Sequence, residues 1–173
     1  MTVRDSVIAL RAPRAEDRDR VRGMAEATQV FRPDEVDVAL EVFDDAIAAP
    51  GVDYHALGAY DDERLVGFTL YGPTPCTVAT WDLYWIVVDP QVHRLGVGRS
   101  LMAASEEAIH RLGGRLVVVE TSSRDDYRPT RAFYEALGYD RAARIAEYYA
   151  AGEDLIVYTR PLAPPPAGTG HDG

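Results

Sequence analysis

Residues 87–100, VVDPQVHRLGVGRS, are the stretch of this chain that decides its fold. The apolar run over 82–88 predicts a strand and a helical pattern begins near Arg99, so the glycines between them lie in a strand-to-helix loop. The backbone N–H groups of such a loop converge at the positive end of the helix, where they can bind a phosphate or a pyrophosphate. Gly96 and Gly98 matter because a side chain there would hold the anion away from the amides.

This loop differs from the commoner phosphate-binding loops. No Gly-Lys-Ser or Gly-Lys-Thr follows the strand, which excludes a P-loop, and the three-glycine dinucleotide pattern is absent. What remains over residues 90–99 is the pattern Pro-x-x-His-Arg-x-Gly-x-Gly-Arg. A Gly-x-Gly turn is often only a tight connection, so the rest of the chain has to decide its function.

Composition narrows the class of protein. At 173 residues and 47% hydrophobic content, the chain suits one domain with a substantial core. Its 18 basic and 28 acidic residues give a formal charge of −10, which argues against nucleic-acid or membrane partners and favours a cationic or amine-bearing substrate. No stretch approaches the ~20 apolar residues that a membrane span requires.

Cysteine usage and the first residues predict a cytoplasmic protein. Cys76 is the only cysteine, so no internal disulfide can form and a reducing compartment is expected. It follows Thr-Pro in a loop and has no spacing that would mark it as a nucleophile. Residues 1–5 lack the apolar run of a signal peptide.

Hydrophobic periodicity and turn residues predict eleven elements. The predicted strands are residues 6–10, 55–60, 65–71, 80–88, 115–120, 142–148 and 155–159. The predicted helices are residues 15–27, a second that starts at 33 and is ended by the Ala-Pro-Gly at 49–51, 99–112 and 129–137. This order, β-α-α-β-β-β-α-β-α-β-β, predicts an α/β (α+β) fold with a mixed, mostly antiparallel central sheet of six to seven strands flanked by helices. We predict one domain over residues 1–161 and a disordered Pro/Gly-rich tail over 162–173.

The loop and the element order together resemble the Gcn5-related N-acetyltransferases (GNAT superfamily) over residues 6–161. The acetyl-coenzyme A loop of that superfamily reads Gln/Arg-x-x-Gly-x-Gly/Ala, which Gly96 and Gly98 match while His93 replaces the Gln or Arg. The resemblance implies the acyl-CoA N-acyltransferase fold. It also implies transfer of an acetyl group from acetyl-coenzyme A to a primary amine by direct attack in a ternary complex. No metal is expected, since the histidines form no ligand spacing with acids.

The resemblance also implies a set of cofactor-binding residues, along a strand that splays from its neighbour and on the loop. They are Ile86, Val87, Val88, His93, Arg94, Leu95, Gly96, Val97, Gly98, Arg99 and Phe133. The amide of Val87 or Val88 would polarise the thioester carbonyl. Arg94 and Arg99 would pair with the phosphates, and His93 is either a phosphate neighbour or an exposed loop residue.

The segment over residues 131–139, RAFYEALGY, is similar to the late motif of the superfamily, which assigns Tyr134 as general acid toward the coenzyme A sulfur. Tyr127 stands seven residues earlier, where asparagine is common. For the base, the resemblance offers Glu120 and Asp82, alone or together, and bulk water is a third alternative. In the ribosomal-protein alanine acetyltransferases, the base is a glutamate on the strand that corresponds to the one ending in Glu120 here.

The acceptor site is predicted from early and late aromatic residues. Phe31, Tyr84 and Tyr148 are the predicted substrate residues, and strand alternation places Asp82, Tyr84 and Ile86 on one face, open toward the substrate. The sequence leaves open which amine is acetylated and whether the chain forms a homodimer. Two alternatives remain: an acyl-CoA-binding regulatory module without catalysis, and an acyltransferase that uses a different acyl-CoA.

Overall fold

The computed structural model describes residues 8–92 and 96–163, which form a seven-stranded mixed sheet with helices on both faces. The strands are β1 (Ile8–Arg11), β2 (His55–Asp61), β3 (Arg64–Pro73), β4 (Thr80–Val88), β5 (Leu116–Ser122), β6 (Asp140–Ala150) and β7 (Glu153–Pro161). The helices are α1 (Arg18–Ala27), α2 (Pro33–Ala48), α3 (Val97–Arg111) and α4 (Arg128–Ala136), with 3-10 turns at Ala15–Asp17 and Asp125–Tyr127. The predicted fold class is confirmed.

The strand order across the sheet is β1-β2-β3-β4-β5-β7-β6, and β4 with β5 is the one parallel pair in it. The predicted elements all appear, with ends that differ by up to three residues. Helix α3 begins at Val97, two residues before its predicted start, because Gly96 adopts φ +71° and caps the helix. The 3-10 turn at Asp125–Tyr127 is the element that periodicity missed.

Two apolar layers hold the helices on the sheet. On one face, α1 and α2 pack through Val21, Met24, Leu40 and Phe43 against Tyr60, Leu65, Phe68, Leu70 and Val87. On the other face, α3 and α4 pack through Leu101, Met102, Ile109 and Tyr134 against strand residues that include Ala59, Val66, Trp81, Leu83, Val117, Val119, Ile156 and Tyr158. Burial of these side chains, at ~1.5–3 kcal/mol each, is the main stabilising contribution and fixes the sheet as a rigid support.

Strands β4 and β5 separate after three residue pairs. Their register runs Thr80↔Leu116, Trp81↔Val117 and Asp82↔Val118, and no further pair forms among the described residues. Both strands nevertheless continue, β4 to Val88 and β5 to Ser122. The predicted splay is therefore present, and it opens the middle of the sheet at the end of β4 that leads into the glycine loop.

A β-bulge corrects one prediction about β4. Leu70 of β3 pairs with Trp85 and the next residue pairs with Leu83, so Tyr84 is an extra residue. As a result Leu83 and Ile86 pack in the same apolar cluster, although they are three residues apart. Asp82 precedes Leu83 and points to the opposite face. The prediction that Asp82, Tyr84 and Ile86 share one face is therefore wrong.

The edges of the described chain add three facts. Leu162 donates its N–H to the Arg115 carbonyl at 2.8 Å, so packed structure continues one residue past the predicted boundary at 161. The predicted tail otherwise falls largely on residues 164–173, which lie outside the described residues. Within residues 8–92 and 96–163, no helix has the length and hydropathy to cross a membrane.

Candidate active site

The splay between β4 and β5 opens into a cleft of about 1100 Å³. Its walls come from the connection between α1 and α2, the diverging halves of β4 and β5, the first turn of α3, the segment from Asp126 to Tyr134, and single residues of β6 and β7. Most of the predicted site residues that the structure describes line it: Phe31, Asp82, Tyr84, Ile86, Val87, Val88, Gly96, Gly98, Arg99, Glu120, Phe133 and Tyr134. His93, Arg94 and Leu95 lie outside the described residues.

One end of the cleft, here called the loop end, is the first turn of α3 with Gly96, Gly98 and Arg99. The Ser100 N–H donates to the Gly96 carbonyl at 3.0 Å and closes the first turn, so the preceding amides point outward. The first turn of α3 contains no acidic residue, whereas that of α2 contains Asp34 and Glu35. The positive helix terminus at the loop end is therefore not neutralised by its own side chains and suits an anion.

The two predicted motifs meet at Gly98. A Cβ placed on Gly98 would lie 3.4 Å from Cζ of Phe133 and 3.6 Å from Cγ2 of Val88. The aromatic ring from α4 therefore covers the loop glycine from one side and β4 covers it from another. An alanine at position 98 would make ordinary van der Waals contacts, whereas a longer side chain would extend into the cleft.

Asp89 fixes the start of the loop, directly after β4. Its buried carboxylate accepts hydrogen bonds from Arg64 at 2.9 Å, from the Gln91 N–H at 2.9 Å and from Arg20 of α1. Burial alone would raise the pKa of Asp89, but the Gln91 amide and the two guanidinium groups lower it below its ordinary value. The carboxylate stays ionised and anchors the loop to α1 and β3.

Tyr134 is buried beside the cleft. It is 3% exposed and packs with the rings of Phe133, Tyr139 and Tyr158 at centroid distances of 5.6, 5.5 and 6.1 Å. Burial, and then the neighbouring Tyr127, raises the pKa of Tyr134 above its ordinary value. No group among the described residues hydrogen-bonds its hydroxyl. Tyr134 therefore holds its proton at neutral pH and faces the cleft without a partner.

Two carboxylates stand where the strands separate. Asp82 is the last residue of β4 that pairs with β5, and it accepts a hydrogen bond from Thr74 Oγ1 at 2.7 Å. Glu120 lies two residues beyond the paired Val118 and is open to the cleft. Burial, and then the charge of Asp82, raises the pKa of Glu120 above its ordinary value. A raised pKa makes Glu120 a stronger base than a solvated carboxylate.

The other end of the cleft, here called the acceptor end, is aromatic. Phe31 and Tyr127 meet edge to face at 6.5 Å, and Tyr84 packs against Tyr54 at 5.6 Å. Of the two adjacent tyrosines of β6, Tyr149 lines the cleft. The predicted substrate residue Tyr148 is not among the lining residues and is 55% exposed.

A local irregularity of β6 explains which tyrosine faces the cleft. The register between β6 and β7 shifts between Ile145 and Ala150, and Glu147 adopts φ +52°. Alternation along the strand therefore does not carry through to Tyr148 and Tyr149. The sequence contains both tyrosines but gives no signal for the irregularity.

An ionic network behind the acceptor end was missed by sequence reasoning. Glu153 is 7% exposed, forms an ion pair with Arg32 and accepts a hydrogen bond from Ser122 Oγ at 2.9 Å. Arg124 donates to the Val30 carbonyl at 2.5 Å. These contacts join the α1–α2 connection to the segment after β5 across 94 residues of sequence and to the start of β7 across 121. No local pattern could have revealed them.

Within the described ranges, no group of three or more His, Cys, Asp or Glu side chains is placed to hold a metal ion.

Comparison with known proteins places the cleft in a family context. A family model for the GNAT acetyltransferase domain matches residues 53–141, which include β4, the loop and α4. A protein from Desulfovibrio desulfuricans, assigned to the GNAT family as an acetyltransferase, is 39% identical in sequence. The match covers 91% of this chain and 100% of that one, with a TM-score of 0.87. No curated protein matches the sequence.

More distant structures share the fold. The ribosomal-protein alanine N-acetyltransferase of Escherichia coli is 18% identical, over 94% of this chain and 98% of its own, with a TM-score of 0.74. A Salmonella typhimurium protein solved with its cofactor acetyl-coenzyme A is 16% identical, over 90% of this chain and 94% of its own, with a TM-score of 0.71. At these identities the likeness extends to the fold alone.

Proposed function

The chain belongs to the GNAT acetyltransferase family, and we propose that it transfers an acetyl group from acetyl-coenzyme A to a primary amine. One observation carries the proposal: a single cleft brings together the N-terminus of α3, whose first turn contains no acid, the unpartnered hydroxyl of Tyr134 and the carboxylates of Asp82 and Glu120. Acetyl transfer to an amine needs a place for phosphates, a proton donor for sulfur and a proton acceptor for nitrogen.

The residues present fit acetyl-coenzyme A, which would supply a thioester carbonyl activated for attack. The loop end, with Gly96, Gly98 and Arg99, would hold the pyrophosphate, because its amides and guanidinium carry no competing acid. His93, Arg94 and Leu95 are proposed neighbours of the same phosphates, whereas Val97, whose side chain is 1% exposed and packs in the core, would contribute only its backbone amide. Ile86, Val87 and Val88 would line the pantetheine arm where β4 leaves β5, and Phe133 would pack beside it.

Two side chains account for the proton transfers of the reaction, one as acceptor and one as donor. As the amine nitrogen forms its bond to the carbonyl carbon, Glu120 accepts one proton from the nitrogen, directly or through water, and Asp82 keeps the Glu120 pKa raised. As the carbon–sulfur bond breaks, the Tyr134 hydroxyl donates a proton to the sulfur. Its raised pKa keeps Tyr134 protonated at neutral pH before the reaction. After product release, Glu120 gives its proton to solvent and Tyr134 takes one up from solvent.

A thiol-release assay with a panel of amines and N-terminal peptides tests this function. We expect at least one primary amine to release free coenzyme A with formation of one equivalent of acetylated amine. In parallel, acetyl-coenzyme A, longer acyl thioesters and free coenzyme A are compared for the rise in melting temperature that each causes. Absence of any rise with all of them would contradict the proposal.

The two alternatives give different outcomes in the same assay. A regulatory module would be stabilised by acetyl-coenzyme A and would release no thiol with any amine. An enzyme that uses another acyl donor would react faster with a longer thioester. The presence of Glu120 and an unpartnered Tyr134 in one cleft favours catalysis over a regulatory role.

We also propose the cytoplasm as the compartment of the protein. Cys76 is free and exposed, which fits a reducing environment. Fractionation of cells that produce the protein, followed by immunodetection, would test this assignment. Recovery in a secreted fraction would contradict it.

A further inference from the structure

We infer that the amine acceptor carries a second positive charge, bound at the acceptor end by Glu35 with Tyr127, Phe31 and Tyr149. This group of four residues is called the second-cation pocket. The inference rests on the proposed function, since it concerns the substrate of the same cleft. It names the substrate class: amines with two cationic groups, as opposed to simple alkylamines or amino acids.

The charges that line the cleft are unequal at its two ends. Five carboxylates line it: Glu35, Asp82, Glu120, Asp126 and Glu153. Two of them are offset by arginines, since Asp126 pairs with Arg124 and Glu153 pairs with Arg32. Among the lining residues that the structure describes, Arg99 at the loop end is the one cation. Asp82, Glu120 and Glu35 are therefore left to attract positive charge.

Asp82 and Glu120 are occupied with the reacting amine, which leaves Glu35. Its Oε2 accepts the Arg32 N–H at 2.7 Å in the capping box of α2, which fixes the carboxylate against the cleft wall. The side chain is half-buried, and it forms no ion pair with any described residue. A fixed, partly desolvated carboxylate gains more from a ligand cation than a solvated one does.

Tyr127 supplies the second observation that points to a ligand. It is 9% exposed and lines the cleft, and its hydroxyl has no hydrogen-bond partner among the described residues. Its ring is held by the edge of Phe31 at 6.5 Å and by the Arg124 guanidinium 5.1 Å from its centroid. The hydroxyl oxygen is not sealed inside the protein, so this otherwise buried side chain presents it to the cleft, where it suits a ligand N–H.

Tyr149 places Glu35 and Glu120 in the same neighbourhood. Burial, then the charge of Glu120, then Tyr148 and Glu35, raises the pKa of Tyr149 to about 12. Burial and then the charge of Glu35 likewise raise the pKa of Tyr127. One acceptor molecule can therefore contact both carboxylates, with aromatic surface between them for its apolar body.

Matched amines of one chain length test the inference. Linear diamines, alkylamines and ω-amino acids with three to eight carbons differ only in whether the remote end is positive, neutral or negative. For the wild-type protein we expect kcat/KM for the best diamine to exceed that of its alkylamine roughly tenfold, as one charge-assisted hydrogen bond provides. The ω-amino acid of that length should react most slowly.

Glu35→Gln tests the pocket directly. Glutamine retains the capping oxygen, so α2 keeps its N-terminal hydrogen bond while the charge is lost. We expect the preference for diamine over alkylamine to fall roughly tenfold. Asp34→Asn is the matched control, because it removes the same charge from the adjacent, exposed residue outside the cleft, and it should leave the preference unchanged.

The outcomes separate this inference from the proposed function. If no acyl thioester raises the melting temperature, the proposed function fails. If acetyl-coenzyme A binds but none of these amines reacts, calorimetry of the same compounds with the coenzyme A complex decides. Diamine binding that is weakened by Glu35→Gln supports the inference. Equal use or equal binding of diamine and alkylamine, or a preference that Glu35→Gln leaves unchanged, would overturn it.

Discussion

The loop end and the acceptor end of the cleft differ in the chemical groups that line them. The loop end consists of backbone amides, two glycines and the positive terminus of α3, and no acid lies in its first turn. The acceptor end consists of aromatic rings and carboxylates held by a network that crosses the sheet. Under the proposed function, the first arrangement would recognise the phosphates that every acyl-coenzyme A shares, whereas the second would select among amines. Substitutions at the two ends should therefore change different kinetic constants.

The largest effect is expected at Tyr134 of α4, the proposed proton donor in the cleft. Tyr134→Phe should lower kcat by roughly 10²-fold or more, since it removes a proton donor. Acetyl-coenzyme A binding, measured by calorimetry, should change little, because the hydroxyl has no partner among the described residues. Tyr158→Phe is the control: it removes a buried hydroxyl from the same aromatic cluster, one that donates to Glu135 at 2.8 Å. Unchanged turnover of Tyr134→Phe with a confirmed amine would remove Tyr134 from the mechanism.

Gly98→Val should break the loop end selectively. Its side chain would enter the space between Phe133 and Val88 and hold the anion from the amides. We expect KM for acetyl-coenzyme A to rise roughly tenfold or more, as loss of charge-assisted hydrogen bonds implies. KM for the amine should stay nearly constant.

A glycine outside the cleft provides the control for that variant. A Cβ on Gly23 of α1 would meet no atom within 4 Å, so Gly23→Ala should leave both constants as they are. A Gly98→Val protein that binds acetyl-coenzyme A normally would show that the loop end has another function.

Glu120→Gln should flatten the acidic limb of the pH profile and lower kcat/KM roughly tenfold, less than the ~10²–10⁴-fold typical of a general base, because Asp82 and water remain as proton acceptors. The base has to be ionised, so activity falls as pH drops through the Glu120 pKa. Because burial and Asp82 raise that pKa, the limb lies at higher pH than for an ordinary carboxyl group. A pH–rate profile that keeps the same limb in Glu120→Gln would assign it to another group.

The smallest effect is expected from Asp82→Asn. Removing this charge takes away a repulsion that disfavours ionised Glu120, so the acidic limb should move to lower pH. The hydrogen bond from Thr74 Oγ1 can be accepted by the amide oxygen, which preserves the local structure. A large loss of kcat without a shift of the limb would identify Asp82 as the base itself.

The difference between the two ends also explains how much the sequence could predict. Gly96, Gly98 and Arg99 lie within four consecutive residues, and the Phe133-Tyr134 motif lies on one short helix, so local patterns and the family resemblance were sufficient to predict these motifs and the fold. The placement of Phe31, Tyr84 and Glu120 in one cleft with these motifs followed from the same family resemblance.

The rest of the acceptor end depends on features that no local pattern encodes. The bulge at Tyr84 changes which side chains of β4 share a face. The irregular register of β6 decides between its two adjacent tyrosines, so Tyr149 lines the cleft and the predicted Tyr148 does not. Arg124 and Glu153 reach partners more than ninety residues away. Such contacts emerge only when the sheet brings the α1–α2 connection against β5.

One measurement tests the central claim most directly: the joint quantification of free thiol and acetylated amine when the wild-type protein is mixed with acetyl-coenzyme A and a panel of amines. The proposed function predicts one thiol released for each acetyl group found on an amine, with both lost together in Tyr134→Phe. Acetyl-coenzyme A that binds in the cleft while neither product forms with any amine would contradict it.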